Sequence, residues 1–366
     1  MTRGLLIGDP RARRTLGLRA AFERHGIAPF DVLEWHAALE RPEAVADERR
    51  AWVKLDPPDD DPLAQRRLVE LGARLLGVAA RADTAPGELC DQHLWAAGLA
   101  AFLTALEAAD TAQRVRWLNP PADIRTMLDK LECQRVLAAH GVATPALLGA
   151  VGSYAELVAR ADAAGCNRAF VKPRFGSSAA GVVAWQRASR GRELAIANCA
   201  LAPNGRLINV LAPRRLHGSA AIAPLVDALA AQSLYAERWV PKPRVPAVRD
   251  TCFDARVVAF RGVARQRVAR TARAPLTNLN LGNRRAALEA CLDAERMQRL
   301  EVAVAHAARA FPASASIGFD VIPCGAADVF VEANAFGDLL PRLEWLGNGT
   351  WDDQALLLGA AERAAA

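Results

Sequence analysis

The fold class this sequence predicts is α/β in three lobes, and three observations predict it. Strand and helix patterns alternate at the N-terminus, over residues 4–35. A strand runs into a glycine- and serine-rich turn and out into a second strand over residues 169–185. Two apolar strands further on, residues 317–322 and 329–334, carry Asp320, Glu332 and Asn334. At 366 residues the chain exceeds one small core and suits two or three packed lobes. The bounds expected are an N-terminal α/β lobe at 1–118, a linker helix and small flap lobe at 119–205, and a C-terminal α+β lobe at 206–366.

Residues 4–8 read as a buried strand, 11–25 as an amphipathic helix closed by Gly26, and 31–35 as a second strand. The acidic run P-P-D-D-D-P, Pro57 to Pro62, is loop, with Asp61 placed to cap a helix rather than to hold a metal. Helical periodicity follows at 63–76 and 91–108. Asn119-Pro120-Pro121 marks the first boundary, and a helix over 124–140 ends at Gly141 before an extended segment opens at Thr144-Pro145. Strands at 169–172 and 182–185 flank the glycine turn, with a strand at 206–211 and a helix at 220–231 beyond them. Strands are expected at 234–240, 254–261 and 263–270, the last two joined at Gly262. Helices at 285–292 and 294–311 then lead into the strands at 317–322 and 329–334.

Composition narrows the function. Apolar residues make up 52%, which describes a globular chain and not a disordered one. The net charge of +6 comes almost wholly from Arg, and the scattered Arg with only 6% aromatics argue for solubility and against a nucleic-acid interface. Seven dispersed cysteines, at 90, 133, 166, 199, 252, 291 and 324, form no C-x-x-C pair, which predicts reduced thiols in packed positions and a cytoplasmic setting. The opening M-T-R-G-L-L-I-G-D-P holds too short an apolar run for a signal peptide, and residues 94–106 fall short of the ~20 a membrane span requires. Six isolated histidines supply no zinc spacing, and no G-x-S-x-G points to a serine hydrolase.

Two of only four lysines sit where a nucleotide-phosphate site would need them. Lys172 stands in A-F-V-K-P-R-F-G-S-S-A-A-G-V, ahead of Gly176, Ser177, Ser178 and Gly181. Those residues offer exposed N–H groups and hydroxyls, and glycine lets backbone approach an anion closely. Gly181 is followed by Val-Val, so this is no Walker loop. Its strand–turn–strand setting suits a flap over a triphosphate, or an ordinary hairpin. Lys130 stands in N-P-P-A-D-I-R-T-M-L-D-K, past the proline boundary. Downstream, Glu332 and Asn334 are two apart on one strand and share a face, and an antiparallel neighbour would bring Asp320 opposite them. Three hard oxygen donors on one face match magnesium, although a polar strand exit would show the same pattern.

In order and spacing these motifs resemble the ATP-grasp superfamily over residues 119–341, in the carboxylate–amine or –thiol ligase manner of glutathione synthetase and the ribosomal-protein glutamate ligases. The resemblance implies the ATP-grasp fold, with the segment 4–35 as its variable N-terminal lobe. It matches Asp129-Lys130 to the lysine opening the small lobe, and Lys172 with residues 176–181 to the second lysine and the flap. Glu237 in L-Y-A-E-R-W-V resembles the hinge acid that meets adenine, with Trp239 and Val240 beside the ring. Asp320, Glu332 and Asn334 match the metal ligands. Arg256 resembles the D-x-R strand arginine, and Arg270 the arginine near the terminal phosphate. Arg265 and Arg267 read as a solvated face. The loop N-L-N-L-G-N-R-R presents Asn280, Asn283 and Arg284 to the phosphate cluster or substrate, or is a capped turn before a helix. Asp338 falls where the second substrate would sit. Relatives hold the ribose with an acid after the hinge; here the stretch is P-K-P-R-V-P, which leaves Lys242 solvated.

The implied activity is ATP- and Mg2+-dependent joining of a carboxylate to an amine or similar nucleophile through an acyl phosphate, with Mn2+ an acceptable substitute. The substrate is then a small molecule or peptide bearing a carboxylate, and no membrane is involved. A small-molecule kinase on the same scaffold, or a nucleotide-binding protein without catalysis, are the alternatives.

Overall fold

The structure, a computed structural model, describes residues 3–81, 83–85, 87–112, 114–176, 179–246, 248–277, 282–325, 327–336 and 339–365. The N-terminal lobe contains β1 (Leu5–Ile7), α1 (Arg13–Arg24), β2 (Asp31–Leu33), α2 (Trp35–Glu40), α3 (Pro42–Val45), β3 (Val53–Leu55), α4 (Pro62–Leu76) and α5 (Gln92–Ala109). Its parallel sheet runs β2-β1-β3, with Leu6 between Val32 and Lys54. Asp61 caps α4, accepting from the Leu63 and Ala64 N–H groups. Trp35 opens a helix instead of closing the second strand. Its ring is buried against Phe102, 5.5 Å between centroids, and its Nε1 donates to the Asp56 carbonyl at 3.0 Å.

The helix expected over 124–140 is two, α6 (Pro121–Leu128) and α7 (Lys130–Ala139). Asp129 breaks it: its backbone is extended and its carboxylate caps α7 through the Glu132 N–H while pairing with Arg174. A six-stranded antiparallel sheet follows, built from β4 (Leu147–Val151), β5 (Arg168–Pro173), β6 (Val183–Arg187), β7 (Glu193–Leu201), β8 (Leu207–His217) and β9 (Leu234–Arg238), in the order β4-β9-β5-β6-β7-β8. Two helices, α8 (Tyr154–Ala163) and α9 (Ser219–Ala230), cover it. The expected lobe bound at 205 cuts through this sheet, because β8 pairs with β7 and β9 lies between β4 and β5.

The C-terminal sheet is antiparallel in the order β12-β11-β10-β13-β14, from β10 (Cys252–Phe260), β11 (Val263–Ala272), β12 (Arg284–Ala286), β13 (Ser316–Pro323) and β14 (Asp328–Asn334). The helix expected at 285–292 is absent; β12 and a single 3-10 turn occupy that stretch before α10 (Ala294–Ala308). A hairpin of β15 (Glu344–Trp345) and β16 (Asn348–Gly349) leads to α11 (Thr350–Ala365), which packs on α1. Arg265 and Arg267, expected on a solvated face, instead make ion pairs, Arg265 with buried Asp353 of α11 and Arg267 with Glu289 and with Glu301 of α10.

Apolar packing divides differently from the sheets. One core joins the N- and C-terminal lobes, including Ile7, Val53 and Phe102 with Val257, Phe319 and Phe330. The middle sheet has its own, around Trp185, Leu225 and Ala236. All seven cysteines are free, and burial pushes the Cys133 and Cys199 thiols up to about 12, which suits packing and not reactivity. Among the described residues no helix is long and apolar enough to cross a membrane.

Candidate active site

A cavity of about 710 Å³ opens between the middle and C-terminal sheets and reaches the N-terminal lobe. Its charged wall comes from strand register. On β13 and β14, Asp320 lies opposite Glu332 and Gly318 opposite Asn334. Across β10, Arg256 lies opposite Asp320 and Asp254 opposite Arg270 of β11, which in turn faces Arg285 of β12. Residues two apart share a face, so this register gathers the group on one side of the sheet.

The group is tightly paired. Arg256 Nε is 2.5 Å from Asp320 Oδ1, and Arg270 Nη2 is 2.9 Å from Oδ2. Arg270 Nε also donates to Asp254 Oδ1 at 2.7 Å, and Lys242 Nζ to Asp254 Oδ2 at 2.9 Å. Lys242 is therefore a half-buried partner in the site and not the solvated lysine expected from its proline-rich context. Burial opposes ionisation of Asp254, yet Arg270 and Lys242 outweigh it and hold the carboxyl well below its ordinary value. For Asp320 burial wins. Arg256 and Arg270 offset only part of it, the Glu332 and Asp254 carboxylates add repulsion, and the pKa rises. Desolvation also opposes ionisation of the half-buried Glu332, but the Lys130 ammonium, 2.7 Å from Oε1, holds it below the ordinary value.

Lys130 Nζ donates as well to the Gly176 carbonyl at 2.8 Å, which ties α7 to the glycine turn. Gly176 holds φ +124, a conformation open chiefly to glycine. On β5, Lys172 lies 2.5 Å from Glu237 Oε1, and Gln134 Nε2 donates to the other oxygen at 2.6 Å. Glu237 is 2% exposed and depends on both partners for its buried charge. Beside it, Phe170, Val182, Leu276, Val240, Ile322 and Pro145 form the apolar part of the wall.

Of the residues singled out from sequence, Lys130, Lys172, Gly176, Glu237, Val240, Arg256, Arg270, Asp320, Glu332 and Asn334 all border this one cavity. Three do not. Trp239 lies behind the wall, packed on Phe170 at 5.1 Å between centroids, because the strand alternation that turns Glu237 inward ends at Arg238. Gly181 packs against Pro173 and Leu229, where a Cβ would come within 2.9 Å of the proline ring, so it serves packing and not a phosphate. Arg284 and Arg285 are both exposed, but only Arg285 borders the cavity, a consequence of β12 being a strand. Asn283 donates to the Leu276 carbonyl at 2.7 Å. Ser177, Ser178, Asn280 and Asp338 lie outside the described residues. Sequence reasoning missed Gln134, Arg285 and the role of Lys242; reading 284–286 as a strand would have found the second.

The donor set fits a divalent cation. Two carboxylates face each other across β13 and β14, and Asn334 Nδ2 donates to the Gly318 carbonyl at 3.0 Å, which leaves the amide oxygen as the atom on offer. Among the described residues no cluster of three or more His, Cys, Asp or Glu side chains could hold a metal. A cation here would rest on Asp320, Glu332 and the Asn334 amide, with phosphate and water completing its shell.

No family model matches the sequence, and none of the curated proteins matches it either. Solved structures do resemble the whole chain. ATP-grasp ligase PsnB complexed with minimal precursor aligns with a TM-score of 0.55 at 15% identity, covering 98% of this chain and 99% of that one. The same ligase complexed with precursor peptide PsnA2 and AMPPNP gives 0.52 at 14% identity, over 99% of both chains. The ADP complex of purK, N5-carboxyaminoimidazole ribonucleotide synthetase, gives 0.54 at 10% identity, over 96% of this chain and 74% of that one. At such identities the likeness is one of fold.

Proposed function

We propose, from the premise that this chain has the ATP-grasp fold, that it is an ATP- and Mg2+-dependent ligase joining a carboxylate to an amine or similar nucleophile, with release of ADP and phosphate. One observation carries the reading: the Asp320–Glu332 pair, Asn334, and four cations (Lys130, Lys172, Arg256 and Arg270) line a single cavity with an apolar arm. Phosphate donors, metal donors and an apolar wall in one cleft are what MgATP requires.

The residues divide the work. The apolar wall and Glu237 receive the base, while Lys130 and Lys172 meet the phosphates, for which their present carboxylate partners hold the charge in readiness. A bound Mg2+, held by Asp320, Glu332 and Asn334, would draw charge from the phosphate oxygens. Arg270 is buried and so firmly cationic between Asp254 and Asp320 that it stabilises charge developing at the transferred phosphoryl group without titrating. Arg256 holds Asp320 in place. The acid's carboxylate attacks the γ-phosphorus, ADP leaves, and the nucleophile displaces phosphate from the acyl phosphate. With Asp254 fully engaged, positioning rather than a general base carries the acceleration.

Thermal unfolding tests the nucleotide site. MgATP at about a hundred times its dissociation constant should stabilise the protein by roughly 2.7 kcal/mol, a midpoint shift of about 3 °C for a chain this long. Lys172→Ala should lose that shift. Its persistence in the variant, or its absence from wild type, overturns the site. ADP release screened over acid–amine pairs then tests ligation, and a phosphorylated product that accumulates would favour the kinase alternative.

A further inference from the structure

Strand β14 is irregular one residue before Glu332. Asp320 lies opposite Glu332 and Val321 opposite Phe330, so Val331 is the extra residue of a bulge. A bulge re-aims the side chains beside it and leaves its own residue out of the ladder. Here the side chain re-aimed is Glu332, and the Val331 carbonyl is taken by Gln134 of α7, whose Nε2 donates to it at 3.1 Å. The same Nε2 donates to Glu237 Oε2 on β9 at 2.6 Å, while Lys172 holds the other oxygen. Gln134 is itself fully buried and stands behind the cavity wall, so it acts only through these partners.

Both partners can only accept, which fixes the amide's orientation: its NH2 end, with two N–H groups, is the one that serves them together. That end joins two sheets with separate apolar cores, one bond going to each. Lys130, four residues earlier on the same helix, makes a matching pair of bonds, to Glu332 and to the Gly176 carbonyl. A nucleotide affects the two differently. In the reading proposed above Lys130 turns to phosphate and gives up Glu332, whereas Gln134 has no second task and remains as the hold on β14. Leucine or methionine would fill the same space but leave the Glu237 oxygen and the bulge carbonyl without this donor. Glutamate would set a second carboxylate against Glu237.

We propose that Gln134 is a positioning residue acting at both ends of the nucleotide. It presents Glu237 to the base as a fixed acceptor, which favours the amino group of adenine over a 6-oxo purine. It also holds the Val331 bulge that aims Glu332 at the cation. The inference rests on the ATP-site reading, and its test separates the two.

Calorimetry of the full chain in chelator, with ADP and with inosine diphosphate, reads the base end. Mn2+ titrated into the saturated ADP complex, followed by electron paramagnetic resonance, reads the metal end. Wild type should favour ADP by about tenfold or more. Gln134→Met, close to the original volume, should bring ADP to within about threefold of inosine diphosphate and leave the latter's affinity within about twofold. The same variant should weaken Mn2+ by about tenfold. A glutamine needed only for folding would instead lower the unfolding midpoint and weaken both nucleotides alike. Should Gln134→Met fail to fold, Gln134→Asn keeps the amide, draws it back by one methylene, and should show the same two losses. Loss of base preference alone overturns the hold on β14, and loss of Mn2+ affinity alone overturns the hold on Glu237. Both kept in the variant, equal loss of both nucleotides, or no preference for ADP in wild type overturns the role of Gln134 and spares the ATP site. Wild type that binds neither nucleotide, with or without Mn2+, overturns the site itself.

Discussion

Asp320 lies between opposing fields. Burial and two neighbouring carboxylates press it toward the neutral form, and two guanidiniums press the other way. Such a balance holds only while every partner stays in register, which makes single substitutions here informative. Glu332→Gln keeps the shape and removes one metal-binding charge; Mg2+-dependent ATP turnover should fall by about 100-fold or more, with unfolding measured alongside to exclude collapse. The exchange of Arg284 for Arg285 gives a sharper comparison. Arg285→Ala should lower turnover by about tenfold, while Arg284→Ala, off the cavity, should leave it within about twofold, both read as ADP release. Equal effects from the two would mean that the strand face has been misread. Lys130, Lys172 and the Asp320–Glu332–Asn334 set were legible in the chain from residue type and spacing, and Glu237 only through the family resemblance. Arg285 was not, because its side depends on whether 284–286 is strand or helix, a choice made by pairing with β11.

Helices α4 and α5 meet through glycines. A Cβ on Gly72 would stand 1.9 Å from the Leu94 carbonyl oxygen, and one on Gly98 the same distance from that of Leu68. Backbone cannot give way as a side chain can, so Gly98→Ala should destabilise by about 1–3 kcal/mol and lower the unfolding midpoint by a few degrees. A midpoint unchanged within error would show that the helices separate freely. The α1–α11 contact makes a pH prediction. Asp352 is partly buried, which opposes ionisation, but Arg24, His25 and the Gly349 N–H outweigh this and lower its pKa. The folded value lies below the unfolded one, so its stabilisation is complete above about pH 4 and is lost as pH falls below that. Asp352→Asn should therefore lower the midpoint at pH 7, by on the order of 1 kcal/mol or less for so exposed a pair, with the difference closing in acid. A difference constant with pH would assign the effect to packing.

The lobes are not three equal bodies. The N- and C-terminal lobes share one apolar core while the middle sheet keeps its own. The middle sheet is nonetheless strapped at its far edge, where Leu89 N–H donates to the Leu207 carbonyl and Asn209 N–H to the Gly87 carbonyl, both at 2.8 Å. Phe330 packs edge-on against Phe319, 5.5 Å apart in the shared core, and Phe330→Ala should cost about 3–5 kcal/mol. Hydrogen exchange should show that loss across the N- and C-terminal sheets and leave the middle sheet's protection largely unchanged. Equal loss everywhere would mean that the strap couples the two bodies into one.

The chain alone determined the α/β class, most strands and helices, and the lysines and oxygen donors of the cleft, since periodicity and residue chemistry are local properties. Tertiary structure decided the rest. It set the break at Asp129, where a distant arginine competes for the helix, and the assignment of residues 207–238 to the middle sheet, where partners lie far away in sequence. It also decided which of two adjacent arginines borders the cavity. Each depends on what a residue meets across the fold, which no spacing along the chain encodes.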